Sequence, residues 1–220
     1  MIKGTPDANV ARAAKLDTAS LSDAMDKLGV VGQCYRIGPR VPSFRLAGRA
    51  FTVLYGPAAT PPGTVGDFID DVPPGHVIVL DNGGRDNATV WGDILTEVAH
   101  RRGIAGTVID GICRDVALCT ELGYPVYSRG HWMRTGKDRV QVEATNVTVN
   151  IGDARVSPGD IMRGDADGVV VLPREHEDRI LETAETIQEA ENSIRRAVRG
   201  GMRLDEARKH HGYHKLQSKS

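Results

Sequence analysis

From Gly92 to Asp115 the chain reads GDILTEVAHRRGIAGTVIDGICRD, and this stretch decides the fold. Ile94, Leu95, Val98 and Ala99 recur on one helical face, basic residues fill the last turn, and Gly103 stands where helices end. The pattern predicts a helix from about Asp93 to Arg102. Ile104–Ile109 then forms a short, mostly apolar run bounded by glycines, as a buried strand does. Upstream, His76–Leu80 is strand-like and ends in Asp81-Asn82-Gly83-Gly84, which reads as a glycine-rich loop. Strand, loop, helix and strand in this order imply a parallel pair joined by a right-handed crossover. Ligands in such sheets gather at the carboxyl ends of the strands, here Asp81–Gly84 and Asp110–Asp115.

Working outward, Asp7–Leu28 carries Val10, Ala13, Ala14, Leu21, Met25 and Leu28, with Thr18, Ser20 and Ser22 as candidate caps and Gly29 as a stop. One or two helices therefore open the fold. Leu46–Tyr55 is strand-like and runs into a Pro/Gly-rich segment, Gly56–Gly66. Pro125–Ser128, the alternating Val140, Val142, Val147, Val149 and Ile151, and the apolar run Gly168–Pro173 predict a second layer of strands. No linker or repeat divides the chain, so one α/β domain is expected over residues 1–209, followed by a polar tail at 210–220. His210, His211 and His214 in that tail have the spacing of a metal clip but no surrounding fold to cap it.

Composition removes whole classes of function. Twenty-eight Lys and Arg stand against 29 Asp and Glu among 220 residues, without the cationic surplus that binding to nucleic acid or an acidic membrane requires. Apolar runs such as Val77–Leu80 are far shorter than the roughly 20 residues that cross a bilayer, and the N-terminus lacks a signal pattern, so the expected compartment is the cytoplasm. Cys34, Cys113 and Cys119 form no CxxC pair and read as reduced thiols. Cys113, next to Arg114-Asp115, is either a reactive thiol or small apolar filler.

The same stretch brings a helix N-terminus and an Arg-Asp pair to one end of the sheet. Free amides at Ile94 and Leu95, with the helix dipole, suit a carboxylate or phosphate, and the Arg114 guanidinium can clamp a second oxygen. Asp115 suits Mg²⁺, which keeps most of its water and accepts a single carboxylate. The alternatives are plain: a solvated Arg114–Asp115 ion pair, and Asp93 as a helix cap. Near the C-terminus, Ile180, Ala184, Ile187, Ile194 and Val198 form a helical stripe interrupted by Glu191. That carboxylate either sits at an edge with a basic partner or answers a cation or water near a site. These residues alone give an anion site with Mg²⁺ and no reaction.

Gly92-Asp93-Ile94-Leu95, Arg101–Gly106, Ile109-Asp110-Gly111, Arg114-Asp115 and Gly164–Pro173 together resemble the ribonuclease E activity regulator A-like family, with a likeness running from about Leu16 to Ala207. That family includes pyruvate-forming aldolases for 4-hydroxy-4-methyl-2-oxoglutarate and 4-carboxy-4-hydroxy-2-oxoadipate. Its aldolase branch carries an aspartate, twenty intervening residues and Arg-Asp, as Asp93 and Arg114-Asp115 do here. Its regulator branch has glycine at the first position and an acidic residue three places after the Arg-Asp aspartate, where this chain has Asp93 and Leu118.

The resemblance implies a layered β/β/α sandwich of the swivelling-domain type, with a partly parallel central sheet and flanking N- and C-terminal helices. It implies Mg²⁺ or Mn²⁺ anchored by Asp115, a keto oxygen on Arg114, and a pyruvoyl carboxylate at Gly92, Asp93, Ile94 and Leu95. Glu191 matches a family glutamate that reaches the metal-side water from a neighbouring subunit, which implies a homotrimer or homohexamer. The activity implied is cleavage of 4-hydroxy-2-oxo di- or tricarboxylic acids to pyruvate and a second oxo acid, with decarboxylation of oxaloacetate at the same site. A non-catalytic regulator of an endoribonuclease or other protein, or a lyase for another 2-oxo (sugar) acid, are the other readings. The family often has small and proline-containing residues after its Arg-Gly. This chain instead reads Arg129-Gly130-His131-Trp132-Met133-Arg134-Thr135-Gly136-Lys137, whose basic residues either meet extra substrate carboxylates or form a solvated loop. His131 is a weaker candidate for an acid or base.

Overall fold

A computed structural model describes residues 7–211. The elements in chain order are α1 (Ala8–Ala13), α2 (Thr18–Leu28), β1 (Gly38–Pro39), β2 (Leu46–Pro57), a 3-10 turn (Asp67–Asp71), β3 (Val77–Arg85), α3 (Asp93–Arg101), β4 (Gly106–Cys113) and α4 (Val116–Glu121). They continue with β5 (Val126–His131), β6 (Val140–Thr145), β7 (Val149–Ile151), β8 (Ala154–Val156), β9 (Ile161–Gly164), β10 (Val169–Leu172), α5 (Glu177–Arg199) and α6 (Leu204–His210).

The expected crossover unit is present. β3 and β4 pair in parallel from Val77 opposite Gly106 to Asp81 opposite Asp110, with α3 between them in sequence. The sheet order is β1-β5-β4-β3-β2-β9-β10, with β6 added antiparallel to the far end of β2. β2 to β5 form a parallel centre, while β1, β6, β9 and β10 pair antiparallel.

Alternation along the central strands explains the layers. Ile78, Leu80 and Ile109 join a cluster with Trp91, Ala99 and Tyr124 on the helical side. Val77, Val79 and Val108 join Val149, Ile151 and Val156 of the β7–β8 hairpin on the other. A third cluster packs α1, α2 and α5 on Ile161, Val170 and Leu172. Helices, sheet and hairpin thus form the expected mixed α/β layers with flanking terminal helices. No helix among the described residues is long and apolar enough to cross a membrane.

Two local expectations are corrected. Asp81-Asn82-Gly83-Gly84 is not a loop after the strand: β3 continues to Arg85, and the pairing slips between Asp81 and Arg85, with Gly83 and Gly84 at φ 61° and 69°. This is a bulge, which glycine permits because it has no Cβ to clash at positive φ. The helix caps are also not Thr18, Ser20 or Ser22 but two aspartates that precede them. Asp7 caps α1 and Asp17 caps α2 by accepting main-chain N–H bonds, while Gly29 ends α2 at φ 70° as expected.

The strand-end carboxylates are structural. Asp81 accepts the amides of Gly83 and Asn150, each at 2.9 Å. Asp110 accepts the Gly152 amide at 2.8 Å and pairs with Arg129. Together they fasten the β7–β8 hairpin to the sheet. Arg163, buried on β9, donates to the main-chain carbonyls of Ala13, Leu16, Leu46 and Gly164.

Candidate active site

β4 ends at Cys113, and the next two residues turn toward the start of α3. The Arg114 amide donates to the Trp91 carbonyl at 3.0 Å, which fixes the height of the turn. Asp115 adopts a left-handed backbone, φ 57°, a region aspartate visits more readily than most residues. Its Oδ2 then accepts the Asp93 main-chain N–H at 3.1 Å and lies 3.2 Å from the Arg114 Nε. A Cβ at Gly92 would stand 2.8 Å from that oxygen and 3.1 Å from Arg114 Nε, so this approach needs glycine at the N-cap of α3. Thr96 braces the turn from below, donating to the Gly92 carbonyl at 2.8 Å and accepting from the buried Trp91 indole at 2.9 Å.

Gly92, Asp93, Ile94, Leu95 and Arg114 line one cleft of about 430 Å³, and Asp115 borders it through Gly92 and Arg114. The predicted grouping at one sheet end is therefore present. One detail differs from the expectation of two free amides: the Ile94 N–H is already taken by the Asp93 carboxylate at 2.8 Å. Among the described residues the Leu95 amide has no such side-chain partner. Glu191 is not part of this group within the chain. It lies on α5, which packs on α1, α2 and α6, and pairs with Arg195 one turn later at 2.7 Å.

The stripe explains Glu191. Ile180, Ala184 and Ile187 are covered by the α1–α2 cluster, Ile194 is buried outside that cluster and Val198 is exposed, so Glu191 stands where the helix leaves that cluster. Of the basic loop, only Lys137 and its neighbour Thr135 reach the cleft. Thr89 donates to the Arg134 carbonyl at 3.1 Å, and Gly136 lies so close that a Cβ would stand 2.2 Å from the Thr89 carbonyl oxygen. This contact brings Lys137 to the cleft that Arg114 also lines, a placement that the sequence did not disclose. Arg129 is engaged by Asp110, and His131 and Trp132 open on a different cavity with Arg36.

Cys113 is core filler. It is buried, its sulfur lies 3.6 Å from the Ser128 hydroxyl, and burial pushes its thiol up, away from the thiolate. His210 and His211 meet edge to face at 4.9 Å, and His214 falls outside the described residues.

The donor set fits a hard divalent cation better than zinc. Among the described residues no three His, Cys, Asp or Glu side chains gather as a metal cage. Among the described residues, one Asp115 carboxylate oxygen has no protein partner, and the side chain is partly exposed beside Gly92. One carboxylate and open space for water is the arrangement Mg²⁺ and Mn²⁺ accept, whereas zinc takes three or four protein ligands.

Residues 18–171 match the RraA-like family profile, described as Aldolase/RraA. Protein DlpA of Legionella pneumophila is 35% identical over 200 residues, 90% of this chain and 32% of that protein, so this chain spans about a third of that relative's length. A protein of Halalkalibacterium halodurans provisionally named 4-hydroxy-4-methyl-2-oxoglutarate aldolase is 32% identical over 183 residues, 83% of this chain and 85% of that one. Among solved structures, an uncharacterized protein from Pseudomonas syringae pv. tomato superposes with TM-score 0.86 at 41% identity, covering 93% of this chain and all of that one. Streptomyces coelicolor RraAS2, described as an unusual member of the RNase ES inhibitor RraA protein family, gives TM-score 0.78 at 25% identity, covering 86% and 97%. By sequence and by fold, the chain belongs to the RraA-like family.

Proposed function

We propose that this chain is a divalent-metal-dependent carbon–carbon lyase that cleaves 4-hydroxy-2-oxo di- or tricarboxylic acids to pyruvate and a second oxo acid, and releases CO₂ from oxaloacetate. The observation that carries the proposal is the meeting of Arg114 and the first turn of α3 in one cleft with Asp115 at its border, held by the 3.1 Å bond from the Asp93 amide to Asp115. Aldolase names among the relatives support the reaction class.

Cleavage breaks the C3–C4 bond of the substrate. The electron pair stays on C3 and delocalises onto the 2-oxo oxygen, the C4 hydroxyl gives up its proton as C4 becomes a carbonyl, and C3 takes up a proton to give pyruvate. A developing enolate is the species that needs stabilising, and the Arg114 guanidinium supplies preorganised positive charge to its oxygen. The substrate carboxylate takes the Leu95 amide and the positive end of α3, and gains the Ile94 amide when Asp93 turns away from it. Asp115 would hold Mg²⁺ or Mn²⁺, which would supply Lewis-acid polarisation when bound. Lys137 offers a point charge to a distal carboxylate. Oxaloacetate passes through the same enolate with CO₂ as the leaving fragment.

Glu191 enters through assembly. Its α5 position, partly covered in the gap of the apolar stripe between Ile187 and Ile194, suits a carboxylate presented to a neighbouring copy in a homotrimer or homohexamer. The test is pyruvate release by the purified chain from oxaloacetate and from 4-hydroxy-4-methyl-2-oxoglutarate, with and without Mg²⁺ or Mn²⁺. Metal-stimulated release is expected. No release from either substrate would leave a protein-binding regulator as the better reading.

A further inference from the structure

Resting on the reading of Glu191 as a residue given to a neighbouring copy, we infer that the basic, apolar arm made by the end of α5 and α6 docks on the acidic outer edge of that copy's cleft, over its Ile94. The arm lies beyond residue 171, where the family match ends. From Glu191 to Arg199 α5 runs on for about 12 Å, and α6 packs back on it. Among residues 191–211 only Ile194 and Ala207 are buried, while Val198, Met202 and Leu204 are exposed. The same residues hold six Lys and Arg against three Asp and Glu, in a chain whose formal net charge is -1. Arg195, Arg196 and Arg203 are paired with Glu191, Glu189 and Asp205, and Arg199 has no carboxylate partner among the described residues.

Such a surface fits a partner that is apolar and negative at once. The edge of the cleft is both. Ile94 is 75% exposed on the first turn of α3, and Leu95 and Val98 beside it are partly covered. Around them stand Asp67, Asp70 and Asp71 of the 3-10 turn and Asp93 and Glu97 of α3, all exposed. Arg102 lies 3.5 Å from Asp70 and Arg101 3.9 Å from Glu97, while the Asp67 and Asp71 carboxylates have no partner among the described residues. Arg114 and Lys137, the other cations of the cleft, serve the substrate in the reading above.

Two other faces fit the arm less well. Exposed Trp132 stands among Arg36, Arg129 and His131, which repel a cationic arm. The groove of Glu182, Glu185 and Glu189 on α5 is acidic but has no large exposed apolar residue, and Glu185 and Glu189 are paired with Arg12 and Arg196. An arm on one copy and a different surface on the next make a head-to-tail contact, which closes into a ring.

The experiment is sedimentation velocity of the full chain at low and high salt. Assembly is expected to weaken as salt screens the opposed charges. Arg199→Glu with Arg203→Glu on the arm, or Asp67→Lys with Asp71→Lys on the edge, is expected to weaken it at least tenfold, and both reversals in one chain to restore it. A photo-crosslinking residue at Val198, in a mixture of isotope-labelled and unlabelled copies, is expected to join the arm of one copy to residues 67–71 or 93–98 of another. A monomeric chain, cross-links to any other face, or an arm that instead carries the protein onto vesicles of acidic lipid would overturn the docking. Metal-stimulated oxaloacetate decarboxylation is read on the same samples. Wild-type activity without any effect of the reversals on assembly would overturn the docking and leave the lyase reading standing, whereas the expected assembly without activity would do the opposite.

Discussion

The Asp115 carboxylate accepts the main-chain N–H of Asp93 at 3.1 Å, tying the end of β4 to the first turn of α3. A side chain that holds its neighbour's backbone through one oxygen leaves the other for a ligand. Asp115→Asn keeps the size of the side chain and an acceptor for the Asp93 amide, but removes the charge. Metal stimulation of pyruvate release is expected to disappear, and calorimetric titration with Mn²⁺ to show no binding at this site. Wild-type metal response in this variant would refute the assignment.

Among the described residues, Arg114 is the one guanidinium lining the cleft. Arg114→Ala removes the preorganised charge proposed to meet the developing enolate oxygen, which is expected to cost about 3–4 kcal/mol, or roughly 10²–10³ in turnover. Steady-state oxaloacetate decarboxylation measures this with the smallest leaving group.

Gly92 tests the geometry without touching charge. An alanine Cβ would meet Asp115 Oδ2 at 2.8 Å, forcing Asp115 or Arg114 to move. Misplacing such groups by about 1 Å costs on the order of a hundredfold in rate. The shift in Tm is expected to stay within about 4 °C, as for a change near 1 kcal/mol in a domain of this size. Parallel kinetics and thermal melts separate the two effects.

Glu191 pairs with Arg195 in the chain, an exposed contact one helical turn apart worth about 0.3–0.5 kcal/mol. Glu191→Gln is therefore expected to leave the Tm nearly unchanged while lowering turnover at least tenfold, as the proposed presentation of this carboxylate to a neighbouring copy requires. Mixing Glu191→Gln with Arg114→Ala protein is expected to restore part of the activity, since some interfaces then combine two intact halves. Absence of any recovery on mixing, despite exchange of subunits, would place Glu191 outside the site.

Acid stability is centred elsewhere, on Arg49 between Asp7 and Glu177. The hydrogen bond from Arg49 is the main reason the Asp7 carboxyl lies below its usual range. Burial pushes Glu177 up, but bonds from Arg49 and Asn9 outweigh it and leave that carboxyl lowered as well. Carboxylates with depressed folded values stabilise the protein above their unfolded pKa of about 4, and the contribution is lost as pH falls through the folded values. Glu177→Gln is expected to cost about 1–3 kcal/mol at neutral pH and to flatten the fall of Tm toward acid. Thermal melts across pH 7 to 3 measure both.

The β3–α3–β4 crossover was legible because its periods change from two to 3.6 within a few residues and a glycine marks each junction. Gly92, Asp93, Leu95, Arg114 and Asp115 were legible as a group because parallel topology brings strand ends and helix starts together. The bulge at Asp81–Arg85 was hidden, since glycines at positive φ look the same in a loop as in a strand that keeps its partner. Lys137 was hidden for a different reason: its position depends on the Thr89–Arg134 bond, which spans 45 residues that share no local pattern. The Glu191–Arg195 pair was open to inspection, being four residues apart on one helix, yet spacing alone does not say whether a carboxylate serves its own chain or another.

The buried Arg163 sets a lower limit on the piece of this chain that can stand alone. Two of its acceptors, the carbonyls of Ala13 and Leu16, lie before the point at which the family match begins at residue 18. Cutting at that boundary would strand a guanidinium in the interior with half its ligands gone, and burying such a charge without them is strongly unfavourable. The short N-terminal helix is thus an internal solvent for one cation, and an autonomous unit begins no later than Asp7, whose side chain caps that helix.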